Sequence, residues 1–387
     1  MDKTLHEPVI VAYGRSATAK SKKGYFIDKH PIEVAVETLK GVLAKIPELD
    51  PAEIDDVAIG CARTVNKCGK NVARLICLRA GLESVSAQTV NRFCSSGLQT
   101  ISTMSNAIAV GDIDIAVAGG IECMSMTQSY LPGDDDEILD EMNPGAYMGM
   151  GMTAENVAAY KGITREEMDA FSAESHRKAA AAQEKGYLAK SIIPIEGKDK
   201  EGNTVMATED QGIRPESSPE SLATLKPCFK EDGIVTAASS SQTDDAAAFV
   251  VIMSREKADE LGLKPIAKLI NFATAGCDAS MMGLGPLYAV PKVMKKSGLT
   301  VDDMDVIELN EAFAAQAIPC IRELEMDIEK VNPWGGAIAL GHPMGATGAI
   351  LTMKALDNIS MNGGKYALVT MCIGGGQGAA GIFEYLG

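Results

Sequence analysis

The chain has 387 residues, with 36 Lys+Arg against 52 Asp+Glu and a formal net charge of −16; so acidic a balance excludes nucleic acid or an anionic membrane surface as the main partner, because phosphate binding needs a basic face. Apolar residues make up 46% and charged residues 23%, which is a globular composition with length for two or three domains. No apolar run approaches the ~20 residues that cross a bilayer, the start MDKTLHEPVIVAYGR lacks a secretory apolar core and cleavage site, and nine cysteines without a CxxC pair point to a reducing cytoplasm rather than a disulfide framework or zinc ribbon.

In chain order, short apolar runs predict buried strands at Val9–Tyr13, Asp56–Gly60, Ile113–Gly119, Val306–Leu309 and Lys365–Met371. Helical stretches such as Pro31–Ala44 and Thr164–Lys185 lie between them. Buried strands alternating with helices give an α/β class. The order repeats. IDDVAIGC (54–61) and MDVIELNE (304–311) are both acidic lead-ins to an apolar strand. A small-residue helix start follows each, CSSGLQTIS from Cys94 and HPMGATGAI from His342. Each half then has a strand ending in glycines, IAVAGGIE and ALVTMCIGGGQG. Two similar halves are therefore expected. Residues 125–242 carry Pro, Gly and charge clusters (LPGDDDE, EGKDKEGN, RPESSPES) and read as an inserted, loop-rich subdomain. Its run Asp134–Glu137 reads as a solvated acidic tip rather than a metal site.

Four positions could carry chemistry. Cys94, in NRFCSSGLQT, precedes a helix; unpaired N–H groups and the positive dipole end there favour a nucleophilic thiolate. The alternative is an inert buried thiol. His342, in GGAIALGHPMGATGA, is wrapped in small residues that admit a substrate, whereas His6, His30 and His176 sit in polar sequence; it is a candidate general base or a core histidine. Cys372, in MCIGGGQGAA, could move a proton at a substrate carbon beside a glycine backbone that aims N–H groups at an oxyanion, or it could end a strand as packing. Asn310, followed by Glu311 in ELNEAFAAQ, could hold a water or carbonyl, or cap a helix. Cys61, Cys68, Cys77, Cys123, Cys228, Cys277 and Cys320 read as structural. The run YMGMGMTAENVA reads as core filler or as an adaptable pocket wall.

Taken together, NRFCSSGLQ, MTAENVA, NEAFAAQ, GGAIALGHPMGATGA and CIGGGQGAA resemble the thiolase family over essentially the whole chain. The resemblance implies duplicated α/β/α/β/α layers: an N-terminal half over 1–124 and 243–264, an inserted loop domain over 125–242 for CoA binding and oligomer contacts, and a C-terminal half over 265–387. It implies reversible thiolytic cleavage of 3-ketoacyl-CoA through an acyl-cysteine. Cys94 would be acylated, His342 would activate it, and Cys372 would be the acid/base at the acetyl carbanion. Asn310 would hold a water that forms one oxyanion hole with His342. The N–H groups of Cys94 and Gly374 would form the other. Ser241 and Lys226 would contact CoA, with Lys226 leading a local positive patch. Met150, Met282 and Phe313 would line the acyl pocket. CoA would be a substrate, with no metal or redox cofactor required. The protein would be a homodimer or homotetramer, with a hydratase/dehydrogenase subunit as a further partner.

The pattern departs from the family at Ala238–Ser239, where Gly-Asn is common, at Ala246, where Gly is common, and at Trp334, where Asn is usual. Gly149 stands where short-chain synthetic members often carry His. NRFCSSGLQ, GCDASMMGLGP and AIPCI stand closer to degradative members than to synthetic acetoacetyl-CoA ones. The rival readings are that synthetic activity, a decarboxylating or hydroxymethylglutaryl-type condensing enzyme, which would lack the CIGGG cysteine, and a non-catalytic lipid carrier.

Overall fold

The computed structural model describes residues 5–127 and 135–387. Its strands in chain order are β1 (Pro8–Arg15), β2 (Ala19–Lys20), β3 (Asp56–Gly60), β4 (Ser86–Val90), β5 (Ile115–Cys123), β6 (Ile195–Lys198), β7 (Thr204–Ala207), β8 (Asp244–Ser254), β9 (Ala267–Gly276), β10 (Val306–Leu309), β11 (Tyr366–Ile373) and β12 (Gln377–Tyr385). The main path runs β10-β11-β12-β9-β1-β8-β5-β3-β4, with β2 on β8; β6 and β7 pair separately.

The duplication appears in the pairing. In the first half β4, β3 and β5 are parallel, β8 is antiparallel to β5, and β1 closes on β8. In the second, Val331 bridges Ile307 in parallel, β10 and β11 are parallel, β12 is antiparallel to β11, and β9 closes on β12. The two five-member sets meet at one antiparallel pair, Ile10 with Ala267. β8, β9 and β12 are strands that the apolar runs did not announce.

Side chains alternate across each strand, so both faces are buried. Val57 and Ile59 pack outward with Leu39, Val42 and Ile76, while Ala58 faces inward. Ile307 and Leu309 pack outward with Val290 and Val293, while Val306 faces inward. The inner layer holds two helices, Ser96–Ala109 and Met344–Asn362, which share one apolar cluster with both sheets. This is the five-layer α/β/α/β/α arrangement. The inner helices approach so closely that a Cβ on Gly348 would stand 2.3 Å from Leu98 N, and one on Gly97 would stand 2.8 Å from Gly345 O. Only glycine fits there.

β5 and β8 enclose residues 124–243, whereas their counterparts β11 and β12 are joined by Gly374–Gly376 alone. The long connection is less loop-rich than its composition suggests. It contains helices Met150–Lys161 and Arg165–Glu184, the latter opened by a capping box between Thr164 and Glu167. It is tied to β1 by a buried pair, Arg15 Nη1 to Asp210 Oδ1 at 2.6 Å and Nη2 to Oδ2 at 2.8 Å. Of the acidic tip, Asp134 lies outside the described residues; Asp136 caps helix Glu137–Met142 through Ile138 N at 2.9 Å. No described helix is long and apolar enough to cross a membrane.

Candidate active site

Cys94, Asn310, Gly374 and Glu122 sit at or just beyond the carboxyl ends of β4, β10, β11 and β5. That end of a parallel set is where open α/β sheets take ligands. Cys94 lies in the single turn Phe93–Ser95 that leads into helix Ser96–Ala109. Phe93 adopts a left-handed φ of 43°, a conformation that costs a non-glycine residue about 1–3 kcal/mol. Three side-chain bonds hold it: Phe93 N donates to Asn91 Oδ1 at 2.9 Å, Arg92 N to Ser96 Oγ at 2.8 Å, and Ser96 Oγ to Phe93 O at 2.7 Å. The backbone N–H groups of Gly374 and of Cys94 itself donate toward the Cys94 sulfur.

The helix end does not lower this thiol as the sequence suggests. Burial outweighs the two N–H bonds and pushes Cys94 up to about 11. His342 is pushed down to about 4 by burial. The resting pair is therefore neutral thiol and neutral imidazole, and proton transfer must accompany attack on a substrate. Alkylation of Cys94 by iodoacetamide is expected to climb about tenfold per pH unit between pH 7 and 9, following the thiolate fraction. A plateau below pH 8 in the rate measured by mass spectrometry contradicts the raised thiol.

His342 precedes helix Met344–Asn362. Its Nδ1 lies 2.7 Å from Thr347 Oγ1, and its Nε2 lies 3.4 Å from Asn310 Nδ2. If the Asn310 amide donates, Nε2 is the free base and Nδ1–H donates to Thr347. The backbone is pinned too: His342 N donates to Gln242 O at 3.0 Å and to Asp244 Oδ2 at 3.2 Å. Gly341, at φ 90°, leaves room for that carboxylate, since a Cβ would stand 1.7 Å from Asp244 Oδ2.

Asn310 is not a helix cap, because the next helix begins at Ala314 with Phe313 at its cap. Its N–H donates to Thr370 O at 3.0 Å, and its buried Oδ1 has no partner among the described residues. Glu311 is structural: it accepts from Ser175 Oγ at 2.6 Å, Asn332 Nδ2 at 2.9 Å and Ile338 N at 3.2 Å. Cys372 is fully buried on β11, two residues before Gly374. Burial first, and then the Cys94 thiol, push it well above the ordinary thiol range.

Cys372 shares an apolar cluster with Met282 and Phe313. Met150 reaches the same corner, with its Sδ 3.5 Å from where a Cβ on Gly374 would stand. Ser241 is half-buried, and its N–H donates to Ala312 O at 2.9 Å. Lys226 is exposed beyond helix Pro219–Leu222, and no described hydrogen bond or ion pair joins it to the other site residues. Ser239 is spent locally, its Oγ accepting from Thr236 N at 2.9 Å. Trp334 is buried against Tyr187, ring centroids 5.2 Å apart. His176, polar in sequence context, is buried, and its Nδ1 accepts from Arg214 N at 3.2 Å. No group of three or more metal-ligating side chains occurs among the described residues.

Sequence reasoning passed over Glu122. It is a lone carboxylate ending the apolar strand IAVAGGIEC, and that isolation was its signal. Buried, it accepts from Ala62 N at 2.9 Å, Arg63 N at 3.2 Å and Gly345 N at 3.0 Å, so it fastens the His342 segment to the end of β3. Glu122→Ala strands three N–H groups and is expected to cost about 3 kcal/mol or more, read as a lower denaturation midpoint. Glu122→Gln, which keeps one acceptor, should recover part of that loss. Thr347 was also missed; it stands one helical turn beyond His342 in a small-residue run.

Two family models divide the chain: "Thiolase, N-terminal domain" matches residues 8–256 and "Thiolase, C-terminal domain" matches residues 263–385. The chain belongs to the thiolase family. A 3-ketoacyl-CoA thiolase of Bacillus subtilis is 44% identical over 98% of this chain and all of its own length. Among solved structures, the Bacillus anthracis acetyl-CoA acetyltransferase superposes with a TM-score of 0.91 at 36% identity, covering 100% of both chains. The dimeric peroxisomal thiolase of Saccharomyces cerevisiae superposes with a TM-score of 0.91 at 38% identity, covering 98% of both.

Proposed function

We propose that the chain catalyses the reversible thiolysis of 3-ketoacyl-CoA by CoA, giving acyl-CoA and acetyl-CoA. The observation that carries this reading is the placement of the Cys94 thiol by the Gly374 N–H, two residues beyond the buried Cys372 thiol on β11, with His342 Nε2 3.4 Å from Asn310 Nδ2 at the end of the neighbouring strand β10. Cys94 Sγ attacks the 3-keto carbon while His342 takes its proton. The bond between C2 and C3 breaks, the acyl group stays on Cys94, and the acetyl-CoA enolate takes its proton from Cys372. The Cys372 thiolate then removes the proton of an incoming CoA thiol. That sulfur attacks the acyl-cysteine, and Cys94 leaves with the proton held on His342. Both half-reactions balance, and ping-pong kinetics follow.

Oxyanions form at two stages. The N–H groups of Cys94 and Gly374 receive one, and His342 with a water on Asn310 receives the other; donors placed where charge develops lower the barrier most. CoA is a substrate, and these steps use no metal or redox group. Met150, Met282 and Phe313 form the acyl pocket. The insertion over 125–242 takes CoA, with Ser241 and Lys226 as contacts, between two halves that divide at 264/265.

We further infer a homo-oligomer of at least two copies, dimeric or tetrameric. Among the described residues β4 pairs only with β3, which leaves an edge that a second copy can extend. The protein works in the cytoplasm, where a hydratase/dehydrogenase subunit would supply its substrate.

A chain-length series of 3-ketoacyl-CoA substrates, run in both directions, tests the assignment. Thiolysis across several lengths is expected. Activity confined to the four-carbon substrate would assign the synthetic acetoacetyl-CoA reaction instead.

A further inference from the structure

Three large apolar side chains stay half-exposed beside the Gly374 turn. Phe93 and Met150 are each 38% exposed, and Phe229 is 41% exposed. A Cβ on Gly374 would stand 3.5 Å from Met150 Sδ and 3.8 Å from the Phe93 ring. Phe229 belongs to the insertion, and its ring meets Phe313 edge-on, with centroids 6.0 Å apart and planes at 81°. Phe313 in turn shares its apolar cluster with Cys372 and Met282. We propose that Phe229 is the wall that limits the length of acyl chain the site accepts. This inference rests on the thiolysis proposed above and adds the residue that sets its substrate range.

The ring is held from two sides. Gly151, the second residue of helix Met150–Lys161, is its seat: a Cβ there would stand 2.1 Å from two atoms of the Phe229 ring. Only glycine lets the ring lie against that helix. Glu155 stands one turn further along the same face and fastens the backbone that carries the ring. Buried, it accepts from Ile234 N at 3.0 Å and from Val235 N at 2.8 Å. Those residues form the return arm of a hairpin. Pro227 bridges Thr236 antiparallel, Cys228 N donates to Val235 O at 3.2 Å, and Gly233 N donates to Lys230 O at 3.1 Å. One helix face thus fixes both the ring and the hairpin.

A ring so fixed is a boundary rather than a loose surface side chain. Phe93, Met150 and Phe229 lie together, and contiguous exposed apolar surface marks a binding site. Rings and a thioether beside an oxyanion donor fit an alkyl chain joined to a thioester. Each methylene that fits behind such a wall is buried and favours the longer substrate. Each one that does not fit must turn back into water.

The experiment compares the unaltered chain with Phe229→Leu and Phe229→Ala on four-, eight- and twelve-carbon 3-ketoacyl-CoA. Phe229→Ala is expected to raise the ratio of kcat/KM for the twelve-carbon to the four-carbon substrate about tenfold, the scale on which one or two further buried methylenes act. Phe229→Leu should raise it less, and both variants should keep the thermal midpoint and the four-carbon rate. Calorimetric titration with saturated acyl-CoA of the same lengths reads the same preference without turnover. A length preference that neither variant moves, in kinetics or in titration, overturns the proposal. A parallel loss at every length also overturns it, because that pattern places Phe229 against the CoA moiety that all the substrates share. No cleavage at any length, with a binding preference that shifts as expected, removes the thiolysis reading and upholds the wall.

Discussion

Cys94→Ala is expected to lower thiolysis of a 3-ketoacyl-CoA by about 10⁴-fold or more, the scale on which removal of a covalent nucleophile acts. The variant deletes one sulfur and leaves the Gly374 N–H, His342 and the apolar cluster around Cys372 in place. KM should therefore change far less than kcat. Stability should hold as well, because the side chain packs into a turn already fixed by Asn91 and Ser96. Steady-state thiolysis at matched protein concentration, with the thermal midpoint as a folding check, measures both. Undiminished turnover would remove Cys94 from the mechanism. The pKa values sharpen the expectation. With the thiol at about 11 and His342 at about 4, a pre-formed thiolate–imidazolium pair is strongly disfavoured, so the sulfur becomes nucleophilic only as His342 takes its proton. The acid limb of kcat/KM that belongs to His342 should accordingly fall near pH 4 rather than near 6.5.

The parts of this fold that sequence makes visible are those decided locally. β3 and β10 are short apolar runs behind acidic lead-ins, and both span the same residues that the pattern predicts, Asp56–Gly60 and Val306–Leu309. Helix Arg165–Glu184 begins one residue inside the expected stretch because Thr164 is its cap. β12 was silent for a physical reason. Its sequence QGAAGIFEY carries little apolar bulk, and it is a strand because β11 and β9 flank it. β8 hides likewise behind the acidic pair that opens it, Asp244 and Asp245, both buried.

The candidate site divides in the same way. Cys94, His342 and Cys372 are conspicuous because each stands in a run of small residues. Glu122 and Asp244 escape because their roles exist only across the fold: Glu122 accepts from Gly345, and Asp244 from His342. The raised Cys94 thiol has the same origin. The helix end that favours the thiolate can be read within ten residues of sequence. The burial that opposes it is built by both halves at once and dominates.

Cys372→Ala should separate the two half-reactions. The substitution removes the acid that protonates the acetyl-CoA enolate, and general acid–base groups contribute about 10²–10⁴-fold. Thiolysis should fall by that order. Cys372 is fully buried, and its loss leaves a cavity of one sulfur in an apolar cluster, a far smaller change than the loss of an enolate's proton source. Transfer of an acetyl group from acetyl-CoA to Cys94 is a different matter. No carbon–carbon bond breaks, and the departing CoA thiolate, which Cys372 protonates in the wild type, is a far weaker base than an enolate and can leave without that proton. Mass spectrometry of Cys372→Ala after incubation with acetyl-CoA should therefore find Cys94 acetylated, while Cys94→Ala gains no acetyl group at that position. If Cys372→Ala can neither cleave 3-ketoacyl-CoA nor accept an acetyl group, Cys372 acts by shaping the pocket around Cys94. If it cleaves at the wild-type rate, the enolate draws its proton from another group, and the oxyanion donors at Gly374 and Asn310 carry the carbon–carbon step without a thiol acid.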